Sequence, residues 1–298
     1  MTEFTSDSLT ISISLFLVSA LAIGISGTMM IAIAERLAKQ TGLGEALMGA
    51  LFLGLSTSLP GIVTSVTAAF GGYGELSISN ALGDIAAQTA FLGIADITYL
   101  EFNLEYVAAS AATLTQGTLL IVLLAIPLLT IANPAFTLWG IHPASIALVF
   151  TYIFGLRLVA SAQNRPMWTP QQPEKLPIEK PDPSELEPDG LIDLWLRFLL
   201  LSVVLAIAGY GLEQTGVSIA KSTHLSENVV GSLFTALSTS LPELVTALVA
   251  VRRGALTLAV SNVLGGNSFD ILFLSFSDLA YRNGSIYQAL TEHEVFIL

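Results

Sequence analysis

Leu55-Ser-Thr-Ser-Leu-Pro60 returns, residue for residue, as Leu237-Ser-Thr-Ser-Leu-Pro242. The same offset of 182 aligns residues 49–88 with 231–270 without a gap, and eighteen of those forty positions are identical. Ser79-Asn80 pairs with Ser261-Asn262, and Leu82-Gly83 with Leu264-Gly265. The match continues to Phe91/Phe273, Leu92/Leu274, Asp96/Asp278 and Tyr99/Tyr281. Chance likeness between apolar helices would align Leu with Leu, but not Ser, Thr, Pro, Asn and Gly as well. The chain therefore carries an internal duplication. Repeat one covers about 49–99 and repeat two about 231–281.

The surrounding composition decides where such a repeat sits. Apolar residues make up 53% of the 298, charged residues only 11%, and the mean hydropathy is +0.74. So few charges cannot cover a water-soluble surface. The net charge of -12 argues against a nucleic-acid partner, since phosphate binding needs clustered Lys and Arg. The absence of Cys excludes disulfides, thiolate metal sites and Cys nucleophiles. Three His leave little room for zinc. No alternating strands suggest a barrel. The fold class is an all-α polytopic membrane protein, with the lipid bilayer as its first partner.

A membrane helix needs about 20 mainly apolar residues. Eight segments qualify: 9–33, 45–70, 76–97, 106–132, 137–160, 193–212, 227–251 and 255–281. The first lacks a basic leader and follows Glu3 and Asp7, so it reads as a retained span and not a cleaved signal. Residues 161–191 differ in kind: they are polar and hold seven of the twelve prolines, the composition of an extended linker. The linker divides the chain into an N-terminal half of five helices, 1–160, and a C-terminal half, 192–298, with three. Basic residues set the orientation. Nine of the eleven fall on the side opposite the N-terminus. That places the N-terminus outside, the linker in the cytoplasm and the protein in a bacterial inner membrane.

Repeat one then begins in span 2 and repeat two in span 7, which run in opposite directions. Two inverted halves are the arrangement many secondary transporters use for alternating access. After repeat one come two further spans; after repeat two the chain ends at Val295-Phe-Ile-Leu298 as an apolar run begins. The offset predicts a second half truncated after its third helix, with two more helices of about 45–50 residues in all beyond Leu298.

Pro60 and Pro242 fall near the middles of spans 2 and 7. Proline removes a helix hydrogen bond and opposes the carbonyl four residues back, here those of Ser56 and Ser238. Freed carbonyls in a bilayer must face protein, water or an ion. Hydroxyls surround both: Ser56, Thr57 and Ser58, then Ser238, Thr239 and Ser240. Such runs can simply cap their own backbone, but carbonyls with hydroxyls also make hard oxygen ligands for Na+ or Ca2+. Glu243 follows Pro242 and shares a helix face with Thr239 and Ser240. Asp270 lies mid-span 8, Asp84 mid-span 3, and Gln88 one turn from Asp84 at the repeat-one position of Asp270. A mid-membrane carboxylate costs at least ~2.5–3.5 kcal/mol and normally marks an ion or proton path. No Lys or Arg lies at comparable depth to pair with them. Asp96 and Asp278 lie near helix ends, where a wetted interfacial role is expected.

On these residues the sequence resembles the calcium/cation antiporter superfamily, especially prokaryotic sodium/calcium exchangers. Each half of that family carries an alpha-repeat with Gly/Ser-Thr-Ser-Leu-Pro-Glu, followed by Asn-x-x-Gly-Ser-Asn-x-x-Asn/Asp. Repeat two reads Ser238-Thr-Ser-Leu-Pro-Glu243 and Asn262-Val-Leu-Gly-Gly-Asn-Ser-Phe-Asp270. The resemblance implies ten helices in two inverted halves. It implies that Glu243 and Asp270 bind ions with Thr239 and Ser240 assisting, and that Thr57 and Ser58 match the ligand positions of repeat one. Two departures stand out. The first-repeat Glu is Gly61 here, and the Ser of the Gly-Ser-Asn segment is Asp84. Gln88 stands where the family usually has Asn, and Gly266 replaces the second repeat's Ser. A carboxylate has thus moved from span 2 to span 3.

The expected function is secondary active Na+/Ca2+ exchange at one mid-membrane site formed by Thr57, Ser58, Asp84, Gln88, Thr239, Ser240, Glu243 and Asp270. Ca2+ and Na+ are transported and no cofactor is needed. Proton-coupled cation or Na+/H+ exchange, with Asp84 carrying the proton, is the alternative, and Gly61 leaves open a non-transporting paralogue. An intramembrane enzyme would need a nucleophile–base pair or metal triad at depth; His142, His224 and His293 lie in or near loops, and no His-Glu-x-x-His occurs. Reading the gene beyond codon 298 checks the length expectation: an in-frame apolar continuation is expected, and a stop codon there refutes it.

Overall fold

The computed structural model describes residues 9–41, 57–98, 104–132, 137–138, 140–165, 190–253 and 256–289. Residues 166–189 of the linker, the first part of span 2 with Ser56, and residues 290–298 lie outside the described residues. The helices are α1 (Leu9–Thr41), α2 (Leu59–Phe70), α3 (Gly74–Thr98), α4 (Leu104–Val107), α5 (Ala111–Ile131), α6 (Pro143–Asn164), α7 (Leu191–Thr223), α8 (Glu227–Val229), α9 (Ala236–Thr239), α10 (Leu241–Arg253), α11 (Leu256–Asp270) and α12 (Leu272–Ala280). A π-helical segment, Val230–Thr235, joins α8 to α9. Among the described residues the β-structure is one isolated bridge, Leu138 with Ile141.

Four described helices, α1, α5, α6 and α7, are long and apolar enough to cross a bilayer, or five spans if the bent α8–α10 stretch counts as one. Their outward faces carry many large exposed apolar side chains: Leu21, Ile25 and Met29 on α1, Leu199, Val203 and Ile207 on α7, Ile121 and Leu129 on α5, Phe150 and Phe154 on α6. Contiguous apolar exposure of this extent has lipid as its natural partner. α3 is also long but more polar, because it is enclosed by other helices and carries Ser77, Ser79, Asn80, Asp84 and Gln88, all buried. Hydropathy favours lipid-facing helices and underrates a central one.

The 182-residue offset reappears in the element boundaries. Shifted by it, α1 starts and ends on α7, α2 starts on α10, and α3 covers α11 and α12 together. The packing is reciprocal as well. Gly209 of α7 lies against the backbone of Pro60, and Gly27 of α1, its counterpart by the offset, lies against the ring of Pro242. A Cβ at Gly209 would stand 2.8 Å from the Pro60 carbonyl oxygen, and one at Gly27 2.3 Å from the Pro242 ring. Small residues let backbones approach this closely in membranes, where packing drives association. Phe16, Ala20, Ile23 and Met30 of α1 close onto Leu205, Ala208 and Leu212 of α7.

Each proline starts a helix and does not bend a continuous one. Ser58 is the N-cap of α2 with Pro60 in its first turn. In the second half the chain breaks at Ser240, and the two pieces meet at 48°. Proline fits a first turn, where its missing N–H has no partner to lose.

Asp96 and Asp278 also act alike. Asp96 accepts from the Leu104 N–H at 3.0 Å and Asp278 from the Ile286 N–H at 3.2 Å, each eight residues downstream. Asp278 further accepts from His142 N–H and Ser145 Oγ, both at 2.7 Å. It is fully buried, which corrects the wetted interfacial role expected for it. Three donors, the Ile286 and His142 N–H groups and the Ser145 hydroxyl, replace the water that a carboxylate at a helix end usually keeps.

Gly209→Val, which meets rigid backbone, should lower the melting temperature in detergent by an amount corresponding to about 1–3 kcal/mol. Gly93→Ala, with nothing within 4 Å of its added carbon, should be neutral or slightly stabilising.

Candidate functional site

The helix breaks bring polar side chains of both repeats into one small pocket. Ser58 comes from the start of α2, Asp84 and Gln88 from α3, Thr239 and Ser240 from the break before α10, Glu243 from the first turn of α10, and Asp270 from the end of α11. Gly61 and Phe273 complete the lining. Thr57, the remaining predicted residue, stands just behind and hydrogen-bonds to Glu243. All eight predicted positions are thus together, seven in the lining and one supporting it. Among the described residues, no Lys or Arg lines the pocket.

The donors around the two aspartates are hydroxyls and amides. Asp84 Oδ1 accepts from Thr239 Oγ1 and from Ser240 Oγ, both at 2.6 Å. Its Oδ2 accepts from Asn80 Nδ2 at 3.2 Å. Asp270 Oδ1 accepts from Ser58 Oγ at 2.6 Å, and its Oδ2 from Gln88 Nε2 at 2.6 Å. Each aspartate is therefore held mainly by the other repeat: α3 by the second, α11 by the first. Both are buried to within a few per cent of full enclosure.

Beside these satisfied groups stand unsatisfied ones. Glu243 is half-buried, but its Oε2 is enclosed and without a hydrogen-bond partner. Gln88 Oε1 is likewise enclosed and unpartnered. Both are acceptors only, and a buried acceptor without a donor costs about 1–3 kcal/mol. Among the described residues, no three carboxylate or imidazole groups close tightly enough to form a ready metal centre. The aspartates are turned to their hydroxyl donors and not to one another.

Gly61 explains where the space of a longer side chain has gone. A Cβ there would lie 2.6 Å from the Phe273 ring and 2.9 Å from Asp84 Oδ2. The Asp84 carboxylate and the Phe273 ring fill the place a side chain on α2 would occupy. Gly266, at the position equivalent to Asp84, faces Gln88: its Cβ would be 3.0 Å from Oε1. The departures from symmetry are therefore mutually fitted.

Sequence reading missed three residues. Asn80 was seen only as a repeat match, yet it joins Asp84 to Ser65 Oγ at 3.0 Å. Phe273 was seen as a repeat match and lies in the lining. Glu213 was placed past the end of span 6, but α7 runs on to Thr223 and buries it. Applying the offset to span 1 would have carried span 6 past Glu213.

Broken helices meeting over buried carboxylates, inside a bundle with lipid-facing outer helices, define a multi-pass membrane protein of the cation-antiporter class. The chain belongs to the sodium/calcium exchanger protein family, whose pattern matches residues 11–160 and 194–291. It is 28% identical to CaxA of Alkalimonas amylolytica over 241 residues, which are 80% of this chain and 71% of that protein. It is 25% identical to the inner membrane protein YrbG of Escherichia coli K12 over 274 residues, 88% of this chain and 77% of that one. Its fold is similar to that of the sodium-calcium exchanger NCX_Mj soaked with Na+ and Sr2+. The TM-score is 0.57 at 20% identity, covering 97% of this chain and 88% of the other.

Gly61→Ala should lower thermal stability by about 1–3 kcal/mol, because the added carbon meets the Phe273 ring and the Asp84 carboxylate. Adding Phe273→Leu should recover part of that loss, so the double variant falls short of additivity. Additive losses in a thermal melt would mean that the ring does not oppose position 61.

Proposed function

We propose that the protein exchanges Ca2+ for Na+ at this pocket by alternating access. The observation that carries the reading is the pairing of unpartnered buried acceptors, Glu243 Oε2 and Gln88 Oε1, with two aspartates and no base. Such a site lacks positive charge and offers oxygen. Ca2+ takes six to eight oxygens at about 2.3–2.6 Å. Asp84, Glu243 and Asp270 supply carboxylates, and Thr57, Ser58, Thr239, Ser240 and Gln88 supply neutral oxygens. A hydroxyl donates one proton and keeps two lone pairs. Ser58, Thr239 and Ser240 hold the aspartates by donation when no ion is bound, and rotate to offer lone pairs when one arrives.

Asp84 restores the negative charge missing at Gly61, from a neighbouring helix. Na+ and Ca2+ then compete for the same oxygens, and that mutual exclusion is the physical basis of exchange. Reciprocal packing of Gly27 on Pro242 and Gly209 on Pro60 supports two halves related by an inverted repeat, a plan that gives one site two equivalent routes of access. The reading places the N-terminus outside and the linker in the cytoplasm of an inner membrane, in keeping with the basic-residue bias and with the name of the Escherichia coli relative.

Uptake of Ca-45 into proteoliposomes, with Na+ and pH gradients imposed separately, tests this. Sodium-driven uptake, abolished by Glu243→Gln and weakened at least tenfold by Asp84→Asn, is expected. Uptake driven only by a pH gradient would favour proton coupling, and no flux of any cation would favour a non-transporting protein.

A further inference from the structure

One turn from the pocket lies a second buried polar layer. Its carboxylate is Glu213 of α7, which is 1% exposed. Glu213 is four residues after Gly209, whose carbonyl accepts from Thr64 Oγ1 at 3.1 Å, and four before Val217. Val217 belongs to an apolar plug with Ala68, Leu76 and Val230. Residues four apart share a helix face, so Glu213 stands between the Pro60 contact and the plug. The other elements bring polar residues to the same level. Thr64 is one turn before Ala68, Ser79 and Asn80 one turn after Leu76, and Thr235 one π-turn after Val230. Packing agrees with the level: a Cβ at Gly216 would lie 3.2 Å from Thr235, and one at Gly231 2.8 Å from Ser79 and 3.2 Å from the Asn80 backbone. Ser65 accepts from Asn80 Nδ2.

Thr64, Ser65, Ser79, Asn80 and Thr235 are all 0% exposed. Three oxygens in the layer have no partner: Glu213 Oε1, Ser79 Oγ and Asn80 Oδ1. The other carboxylate oxygen, Oε2, is taken by Gln214 Nε2 at 2.7 Å. Enclosed acceptors around a single acid are oxygen ligands without an ion, and one negative charge balances a monovalent cation. A divalent ion would leave a buried positive charge.

We propose that Glu213, with Ser79 Oγ and Asn80 Oδ1, forms a second, monovalent-cation position, selective for Na+ over Ca2+. It lies between the apolar plug and the Asp84 pocket. Asn80 links the two: its Nδ2 holds Asp84 of the pocket and Ser65 of the second layer, and its buried Oδ1 is left without a partner. Filling one position therefore bears on the orientation of the other. The proposal deepens the exchange reading and rests on it only for the direction of transport.

The test uses the full-length protein in detergent and needs no flux. Thermal stability is followed against Na+, against Ca2+, and against choline as an ionic-strength control. Wild type should be stabilised by Na+ and by Ca2+. Glu213→Gln should raise the half-saturating Na+ at least fivefold and leave the half-saturating Ca2+ within twofold. Ser79→Ala should act in the same direction, more weakly, and serves if Glu213→Gln does not fold. Unchanged Na+ dependence in these variants, or loss of Na+ and Ca2+ stabilisation together, overturns the proposal. Normal ion stabilisation without Ca-45 exchange would instead sink the transport reading and leave this position standing.

Discussion

Two aspartates buried inside the helix bundle, with no basic residue to meet them among the described residues, set the terms for the rest of the molecule. An ionised carboxylate in a bilayer must be compensated by dipoles, by an ion, or by a proton. Here the dipoles are short hydroxyls and carboxamides, and short groups reach only if helices come very close. That need accounts for the glycines at the helix contacts. Gly83 lets α3 approach Ser232 and Ala236, and Gly231 lets the π-segment rest on Leu76 and Ser79. The breaks at Ser58 and Ser240 meet the same need, because a broken helix can aim side chains and backbone at one point inside the bundle.

The two repeats are equal as scaffolds and unequal as chemistry. α1 and α7 span the same offset positions, and so do the capping aspartates Asp96 and Asp278. At the pocket the pairs diverge: Gly61 with Glu243, Asp84 with Gly266, Gln88 with Asp270. A single pocket is lined by Gly61, Glu243, Asp84, Gln88 and Asp270, with Gly266 set against Gln88. It needs only their sum, so each repeat can lose what the other supplies.

Much of this was legible in the sequence because duplication turned weak signals into strong ones. A Ser-Thr-Ser-Leu-Pro run beside one membrane proline means little, while two copies single out Pro60 and Pro242, where the sequence suggests kinked spans and the structure starts new helices. Thr57, Ser58, Thr239 and Ser240 were readable for the same reason, and Asp84, Gln88, Glu243 and Asp270 as polar groups at mid-span. What escaped lay where the pattern is single. Glu213 has no acidic counterpart, since the equivalent residue is Ile31, and hydropathy alone ended the helix before it. Asp278 looked like a helix-end acid because sequence cannot show that His142 and Ser145 at the start of α6 close over it. The π-segment left no local signature, as its widened turn follows from packing against α3.

The crowding at Gly61 also ties three positions together. The Phe273 ring and the Asp84 carboxylate fill the space that a longer side chain at 61 would need. Placing a carboxylate on α2 would therefore require both neighbours to change with it, and each of those changes alone would empty part of the pocket. Residues 61, 84 and 273 are a unit that can be redesigned jointly but not piece by piece.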